Sequence, residues 1–530
     1  MAETVRIAHN AHTAKLLDAS RELRDVVSDL LSYEVEGHEF AHSFMSGTWN
    51  GRSTFFSQTG CTFPAGFVHL VNSELNRLGH KVILVRRPLP EPLGPENPIV
   101  DEFGNDDPRY DYQLKALRQV ERHGRGIIRI ATGGGKSKVA KLIAARYRRM
   151  TMFLTTRGIL MYQMADGFRD AGMNVGIIGD GTWSPVRGVN CGMVQTFVAK
   201  LKETTIDAEA RQVVAETVKA GKSLPRSEIM RIAQERYDAK VRERNRVLKL
   251  LEMVEVVIGE EAHEAGGDSY YEILRHCKNA NIRVALTATP FMRDDAEDNM
   301  RLMAAFGPIL ITVSEQQLIE RGILSKPYFK YVKAEPAPKL RKTSPWQRAR
   351  QIGIVEAPDR NRKVVEYAKK AASYGLPTLV LVQIQAHGKI LLEMLRKEGI
   401  KAKFIFGEHK QDERKAALKE LKDGKIQVLI GSTILDVGVD VPIIGMVILA
   451  GGGKAEVALR QRIGRALRGK KPPMPNVAFV VDFTDEVNIH LREHARQRRA
   501  IVEATPGFAE NILKDNEDFD WSLFEAAKAA

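Results

Sequence analysis

A chain of 530 residues with 44% hydrophobic content has material for roughly three to four domains, each with its own core. Its 80 Lys and Arg against 66 Asp and Glu leave a formal charge of +14, an excess that favours a polyanionic partner, nucleic acid first, because phosphate backbones release counterions on binding. The early residues carry no apolar leader, and no run approaches the about 20 apolar residues of a membrane span. Three widely spaced cysteines, Cys61, Cys191 and Cys277, argue against a disulfide framework or a zinc site and for buried thiols in a reducing compartment.

Residues 1–95 read as a small α+β unit. A short strand at 5–8 precedes an amphipathic helix over 15–31, and a turn-rich segment carries Phe40, Phe44, Trp49, Asn50, Gly51 and Arg52. Residues 54–57 alternate like a strand, 67–78 are amphipathic and 81–85 are apolar. Two readings stay open for the aromatics: they fill a small core, or with Arg52, Arg86 and Arg87 they grip nucleic acid. Pro88, Pro90, Pro92, Pro95 and Pro98 then make a stiff linker.

From 107 to about 323, apolar strands alternate with helical patterns, the signature of a parallel sheet with crossover helices. Strands are expected at 126–130, 152–155, 175–178, 192–194, 254–258, 283–286 and 309–312. An insertion at 200–252, dense in Lys, Arg and Glu with a break at 221–225, reads as two helices. It is either a solvated hairpin or an arm that touches DNA or a partner through Arg242, Arg244, Arg246 and Lys249. A second alternating unit follows, with strands at 378–382, 403–405, 428–430, 446–449 and 478–481. The tail starts as a basic helix (Arg492, Arg496, Arg498, Arg499) and ends acidic with Trp521 and Phe524, and it is expected to pack on the second unit. The pattern predicts an α/β protein with an N-terminal domain at 1–95, sheet domains at 96–325 and 326–484, and a helical tail at 485–530.

The residues that carry chemistry begin with RIATGGGKSK at 129–138. An apolar strand, three glycines (Gly133, Gly134, Gly135) and a helix start place free N–H groups and the positive end of a helix where phosphate oxygens bind. Lys136 would reach the β/γ-phosphates and the Ser137 hydroxyl would ligate Mg²⁺. Ile130 stands where the strict pattern has its first glycine, so a glycine turn with a surface lysine stays an alternative for this segment alone. VEVVIGEEAH at 254–263 is an apolar strand ending in two carboxylates and an imidazole. Glu260 is assigned to the metal, through its water shell, and Glu261 to the attacking water; by itself such a pair could equally be a surface pair. QRIGRALR at 461–468 puts Gln461, Arg465 and Arg468 on one helical face, where arginines facing a γ-phosphate would be worth roughly 10³–10⁵ in rate.

Taken in order, these segments resemble the motifs of superfamily 2 helicases and translocases. Gln113 in RYDYQLKAL resembles the adenine-reading glutamine. ATGGGKS (Thr132 to Ser137) is similar to motif I and FLTTRGIL (Thr155, Thr156, Arg157) to motif Ia, with Gln195 and Thr196 matching the next DNA-contact motif. GEEAH (Glu260, Glu261, His263) resembles motif II and LTATP (Thr287, Thr289) motif III. LVLVQ (Gln383), GSTILDVGVDVP (Ser432, Thr433, Gly438, Asp440) and QRIGRALR resemble motifs IV, V and VI. The amino-terminal segment, with its aromatic-rich turn W-x-G-R (Trp49, Arg52), is similar to that of the UvsW-type phage recombination helicases.

The resemblance implies two tandem RecA-like parallel-sheet domains behind a small α+β domain. It implies a DNA-stimulated ATPase and helicase that uses ATP and Mg²⁺. Nucleotide would be held by Gln113, Thr132, Gly133, Gly134, Gly135, Lys136, Ser137, Gly438 and Asp440, metal by Ser137 and Glu260, and catalysis carried by Lys136, Glu261, His263, Gln461, Arg465 and Arg468. Sequence-independent DNA contacts would come from Trp49, Arg52, Thr155, Arg157, Gln195, Thr196, Gln383, Ser432 and Thr433. The implied substrate is duplex or branched DNA, through Holliday-junction branch migration, fork regression and R-loop unwinding. The implied protein is monomeric, is not membrane-bound and works in the cytoplasm, that of the host for a phage protein. The family pattern has Asp at Glu260; the extra methylene lengthens the side chain by about 1.5 Å against the strict octahedral distances of Mg²⁺. Two alternatives follow: a restriction-type DNA translocase subunit, and an ATP-gated DNA clamp in which Glu260 weakens hydrolysis.

Overall fold

The computed structural model describes residues 3–262, 266–291, 296–406, 411–431, 444–453, 463, 467–470 and 474–525, with the side chains of 266–268, 411, 412 and 415 outside the description. The chain divides into two compact units, one of Met1–Arg129 with Lys136–Thr312 and the other of Ile130–Gly135 with Val313–Ala530. No helix among the described residues is long and apolar enough to cross a membrane.

The first unit opens with strands β1 (Thr4–His9), β2 (Thr13–Leu17), β3 (Ser32–Glu34), β4 (Arg52–Thr54), β5 (Thr62–Pro64) and β6 (Lys81–Arg86). Four of them form a sheet in the order β5-β2-β1-β6, and β3 pairs with β4. The expected helix over 15–31 is therefore two elements. Ala14 and Leu16 point into the core while Thr13 and Lys15 do not, a period-two pattern that belongs to β2. The chain then turns at Asp18 in the left-handed region, and Ser20 accepts from the Leu23 N–H to cap the helix Arg21–Leu30. The expected strand at 54–57 is likewise displaced to β4.

This small sheet does not close its core alone. Val5, Ile7, Leu16, Val27, Phe63, Phe67 and Val71 pack with Ala304, and Tyr271, Met300 and Met303 cover the cluster. Gly66 makes the contact close, since a Cβ there would lie 2.1 Å from the Met303 carbonyl oxygen and 2.4 Å from that of Ala304. Gly66→Ala should cost about 1–3 kcal/mol or more, because backbone rather than a flexible side chain must yield. A Tm equal to wild type in calorimetry would show that the contact does not form.

The larger sheet of this unit contains β7 (Arg125–Ile130), β8 (Thr151–Thr155), β9 (Val175–Gly179), β10 (Thr182–Ser184), β11 (Val189–Met193), β12 (Val256–Glu260), β13 (Ile282–Thr287) and β14 (Ile309–Val313). Their order is β10-β9-β11-β8-β12-β13-β7-β14. The pairs from β9 through β7 are parallel, and β10 is the antiparallel edge. β12, β8 and β13 are buried along their whole length, as strands covered on both faces must be. The insertion folds as helices Ile206–Lys219 and Arg226–Met253. Val247, Leu250 and Leu251 anchor the long helix in the main core, and Arg236 and Arg244 pair with Glu216 and Glu203. Arg246 lies over the Trp183 ring. Two of the four basic residues expected to reach a partner are thus engaged inside the unit.

The second unit is a sheet of β15 (Lys326–Val332), β16 (Thr378–Leu381), β17 (Ala402–Ile405), β18 (Val428–Gly431), β19 (Met446–Ile448) and β20 (Val477–Phe483), ordered β15-β20-β19-β16-β18-β17 and parallel throughout. The tail packs here. Arg498, in the helix Ile489–Glu503, makes a two-pronged pair with Asp482 at 2.9 Å on both prongs, and Phe519, Trp521 and Phe524 gather around Phe479.

Candidate functional site

The glycine loop follows β7, whose Ile127, Ile128 and Ile130 are fully buried. Ile130 is therefore a core residue at the strand's end, which explains why no glycine is needed there. Gly133 and Gly135 have φ of 92° and 83°, a region costly to side-chain-bearing residues. A Cβ on Gly134 would come 2.4 Å from Ile130 Cγ2. After this turn the helix Lys136–Tyr147 begins. Lys136 is buried and Ser137 exposed, while the neighbouring Lys138 is tied to Asp101 at 3.0 Å.

Two strands away, β12 ends on Glu260, which is 5% exposed. The strand runs two residues further than expected, so Glu260 lies within it rather than after it. Glu261 leaves the sheet with φ 45° and its N–H donates to the Leu286 carbonyl at 2.9 Å. A left-handed glutamate stores strain of order 1–3 kcal/mol, a feature that clusters at functional sites. Its Oε1 lies 3.1 Å from Lys136 Nζ, both side chains being nearly buried at 13% and 9% exposed. Its Oε2 accepts from Thr287 Oγ1 at 3.5 Å, and Thr287 Oγ1 in turn accepts from the Thr289 N–H at 3.1 Å. The loop lysine, the second carboxylate and the threonine at the end of β13 thus form one connected group.

A residue that no motif marked supports this group. The Tyr270 hydroxyl, fully buried, reaches the Glu260 carbonyl at 3.0 Å and the Leu154 carbonyl at 3.3 Å, tying the end of β12 to β8. In the sequence Tyr270 is only one aromatic of an amphipathic stretch.

Gln113 is buried in the helix Asp111–His123. Thr155 and Arg157 at the end of β8 come beside Gln195 and Thr196, because β8 and β11 are parallel neighbours with Thr155 opposite Met193. Gln195 Nε2 donates to the Thr156 carbonyl at 3.0 Å, and the Arg157 N–H to Thr155 Oγ1 at 3.3 Å. Trp49 and Arg52 share the β3–β4 turn, with Trp49 Nε1 donating to the Arg52 carbonyl at 2.7 Å and Arg52 to Ser32 Oγ at 2.6 Å. In the second unit Gln383 donates to the Gly452 carbonyl at 2.8 Å. Arg468 bridges to Leu324, and its guanidinium reaches the Gly133 carbonyl at 3.4 Å. His263, Ser432, Thr433, Gly438, Asp440, Gln461 and Arg465 lie outside the described residues.

The residues fit a magnesium nucleotide. Glycine is required in the loop, where a Cβ on Gly133 or Gly134 would strike Leu324 or Ile130, and Ser137 and Glu260 offer the hard oxygens that Mg²⁺ selects.

Two family profiles match the chain: "Type III restriction enzyme, res subunit" over residues 107–292 and "Helicase conserved C-terminal domain" over 360–470. The chain is 30% identical over 259 residues to "Putative helicase 22" of a Sulfolobus islandicus filamentous virus, covering 46% of this chain but only 45% of that protein. It is 22% identical over 492 residues to "ATP-dependent DNA helicase uvsW" of Enterobacteria phage T4, covering 89% of each. Among solved structures, that of T4 UvsW aligns with 97% of this chain and 99% of its own, at 19% identity and a TM-score of 0.43. With its ordered motifs, the two profile matches and the near full-length alignment, the chain belongs to the superfamily 2 DNA helicases and translocases and resembles UvsW.

Proposed function

We propose that this chain is a DNA-stimulated ATPase that remodels branched duplex DNA by branch migration of four-way junctions, fork regression and unwinding of R-loops. The observation that carries this reading is the alignment with an ATP-dependent DNA helicase over 89% of both chains, which takes in the amino-terminal unit as well as the motor. The proposed organisation is a DNA-gripping domain at 1–95, motor domains at 96–325 and 326–484, and a packing tail at 485–530.

ATP with Mg²⁺, held by Gln113, the loop from Thr132 to Ser137 and Glu260, supplies the phosphoryl group whose transfer to water drives the cycle. Lys136, which pairs with Glu261, would turn to the phosphates of a bound nucleotide. Glu261 is thereby released to orient the attacking water, with Thr287 steadying its second oxygen. Arg465 and Arg468 stabilise charge on the transferred group. Thr155, Arg157, Gln195, Thr196, Gln383, Ser432 and Thr433 grip DNA phosphates, contacts that position without reading sequence. Glu260 replaces the family's Asp, and the Tyr270 anchor at its carbonyl holds the strand end at a fixed depth for the longer side chain.

ATP turnover measured with single-stranded, linear duplex, forked, four-way and R-loop substrates tests the reading. Turnover should rise most with four-way and forked DNA and fall steeply with added salt. Turnover indifferent to DNA would refute the motor. The restriction-type translocase, which the profile over residues 107–292 favours, requires linear duplex to stimulate as well as junctions. ATP binding with no turnover would leave the clamp.

A further inference from the structure

At the end of the sheet opposite the glycine loop, a cavity of about 670 Å³ lies between the small amino-terminal sheet and the starts of the parallel strands. Arg125 opens β7, Lys278 and Asn281 precede β13, Pro308 precedes β14, Arg86 closes β6 and Arg87 follows it. β7 has six residues, so about 17 Å of strand separates this cavity from the loop. Ligands of open parallel sheets gather at the other, carboxyl end; no residue of the helicase-like motifs lines this cavity, although Arg86 and Arg87, two of the basic residues that could grip nucleic acid, do.

The charge of the lining is one-sided. Arg86, Arg87, Arg125 and Lys278 contribute cations, Asn10, Asn72, Asn279 and Asn281 contribute amides, and among the described residues no Asp or Glu lines the cavity. Arg125 donates through Nη2 to the Ala11 carbonyl. Its Nη1 and the Nδ1 of His12 are both sealed from solvent without a hydrogen-bond partner. Leaving such groups unsatisfied costs about 1–3 kcal/mol each, more for a charged one, and uncompensated like charges add to it. A volume of this size suits a small molecule, and an anion held there would offset the unpaired positive charge of the lining with charge-assisted bonds.

We propose that this cavity is a second anion site, separate from the ATP loop, which takes a compact phosphate-bearing ligand, either a free oligophosphate or the phosphate of a DNA end. The occupant bridges the amino-terminal sheet and the motor sheet of the same unit, so binding stabilises their packing.

Four histidines line the cavity and give binding a pH signature. Burial first, and then the cations facing each, hold them below the usual histidine range: Arg125 and Arg86 at His9, Arg283, Lys278 and Arg125 at His12, Arg125 at His69, and Arg122 and Arg86 at His123. A bound anion offsets those cations and favours the imidazolium form. Binding therefore favours proton uptake by these histidines.

Calorimetric titration of inorganic pyrophosphate into the full-length Lys136→Ala chain without Mg²⁺ tests this, because the substitution removes the competing loop site. Saturable binding to one site is expected. It should weaken at least about tenfold in the Arg86→Ala, Arg87→Ala double variant, which removes two charges from an exposed strand end. Lys278→Ala serves if that variant melts early. No saturable binding, or equal affinity in a folded charge variant, would overturn the proposal. A short 5′-phosphorylated duplex that displaces pyrophosphate identifies a DNA end as the source; simultaneous binding of both identifies a free oligophosphate.

Discussion

Glu261→Gln should reduce ATP turnover by roughly 10²–10⁴, the range for losing a group that orients or deprotonates the nucleophile, while ATP binding is kept or tightened. Glutamine preserves volume and can still accept from Thr287, so the connected group at the ends of β12 and β13 keeps its shape. It cannot pair as an anion with Lys136, whose Nζ sits 3.1 Å from Glu261 Oε1. That ion pair competes with the phosphates for the lysine. In the proposed mechanism, removing its negative partner frees Lys136 for nucleotide and simultaneously removes the residue that would align water. Single-turnover hydrolysis and binding of a fluorescent ATP analogue separate the two effects. Unchanged turnover would show that another group aligns the water, and weakened binding would show that the pair does not compete.

Lys136→Ala should give the complementary result, with turnover lower by at least about 10² and nucleotide binding weakened as well, since a cation aimed at the transferred phosphates acts both before and in the transition state. The expected contrast is specific. Glu261→Gln lowers kcat with KM equal or lower, whereas Lys136→Ala lowers kcat and raises KM. Lys138 is no substitute for the lost cation, because Asp101 holds it on another side of the helix. If steady-state kinetics of the two variants fell together with wild-type KM, Lys136 would be a structural partner of Glu261 rather than a phosphate ligand.

Much of the motor was legible because its signals are local. Each expected strand of the two parallel sheets has a counterpart, since strands buried on both faces read as short apolar runs whatever lies beside them. The errors fall where two periods overlap. Residues 13–17 alternate for only five positions before Asp18 turns the chain, and the helix beginning at Arg21 lent its 3.6-residue pattern backwards across them. Val254 is as buried as the strand it precedes, because it ends the long insertion helix against the same core, so apolarity alone placed the strand two residues early. β15 was missed because Lys326, Tyr328 and Lys330 alternate with buried neighbours at a sheet edge and weaken the apolar run.

The chemistry on offer is written in the residues: a glycine turn that tolerates φ near 90°, a lysine and a serine at a helix start, paired carboxylates at a strand end, and a basic surplus suited to DNA. Which of these meet depends on the packing of distant segments. Lys136, Glu261 and Thr287 touch because β12 and β13 are neighbours and the glycine loop follows β7 on the other side of β13. The amino-terminal sheet shares its core with Ala304, and cations from three distant segments face one cavity. Periodicity reports which side of a strand is buried; the order of strands depends on crossovers and packing between segments far apart in the chain, which no local pattern encodes.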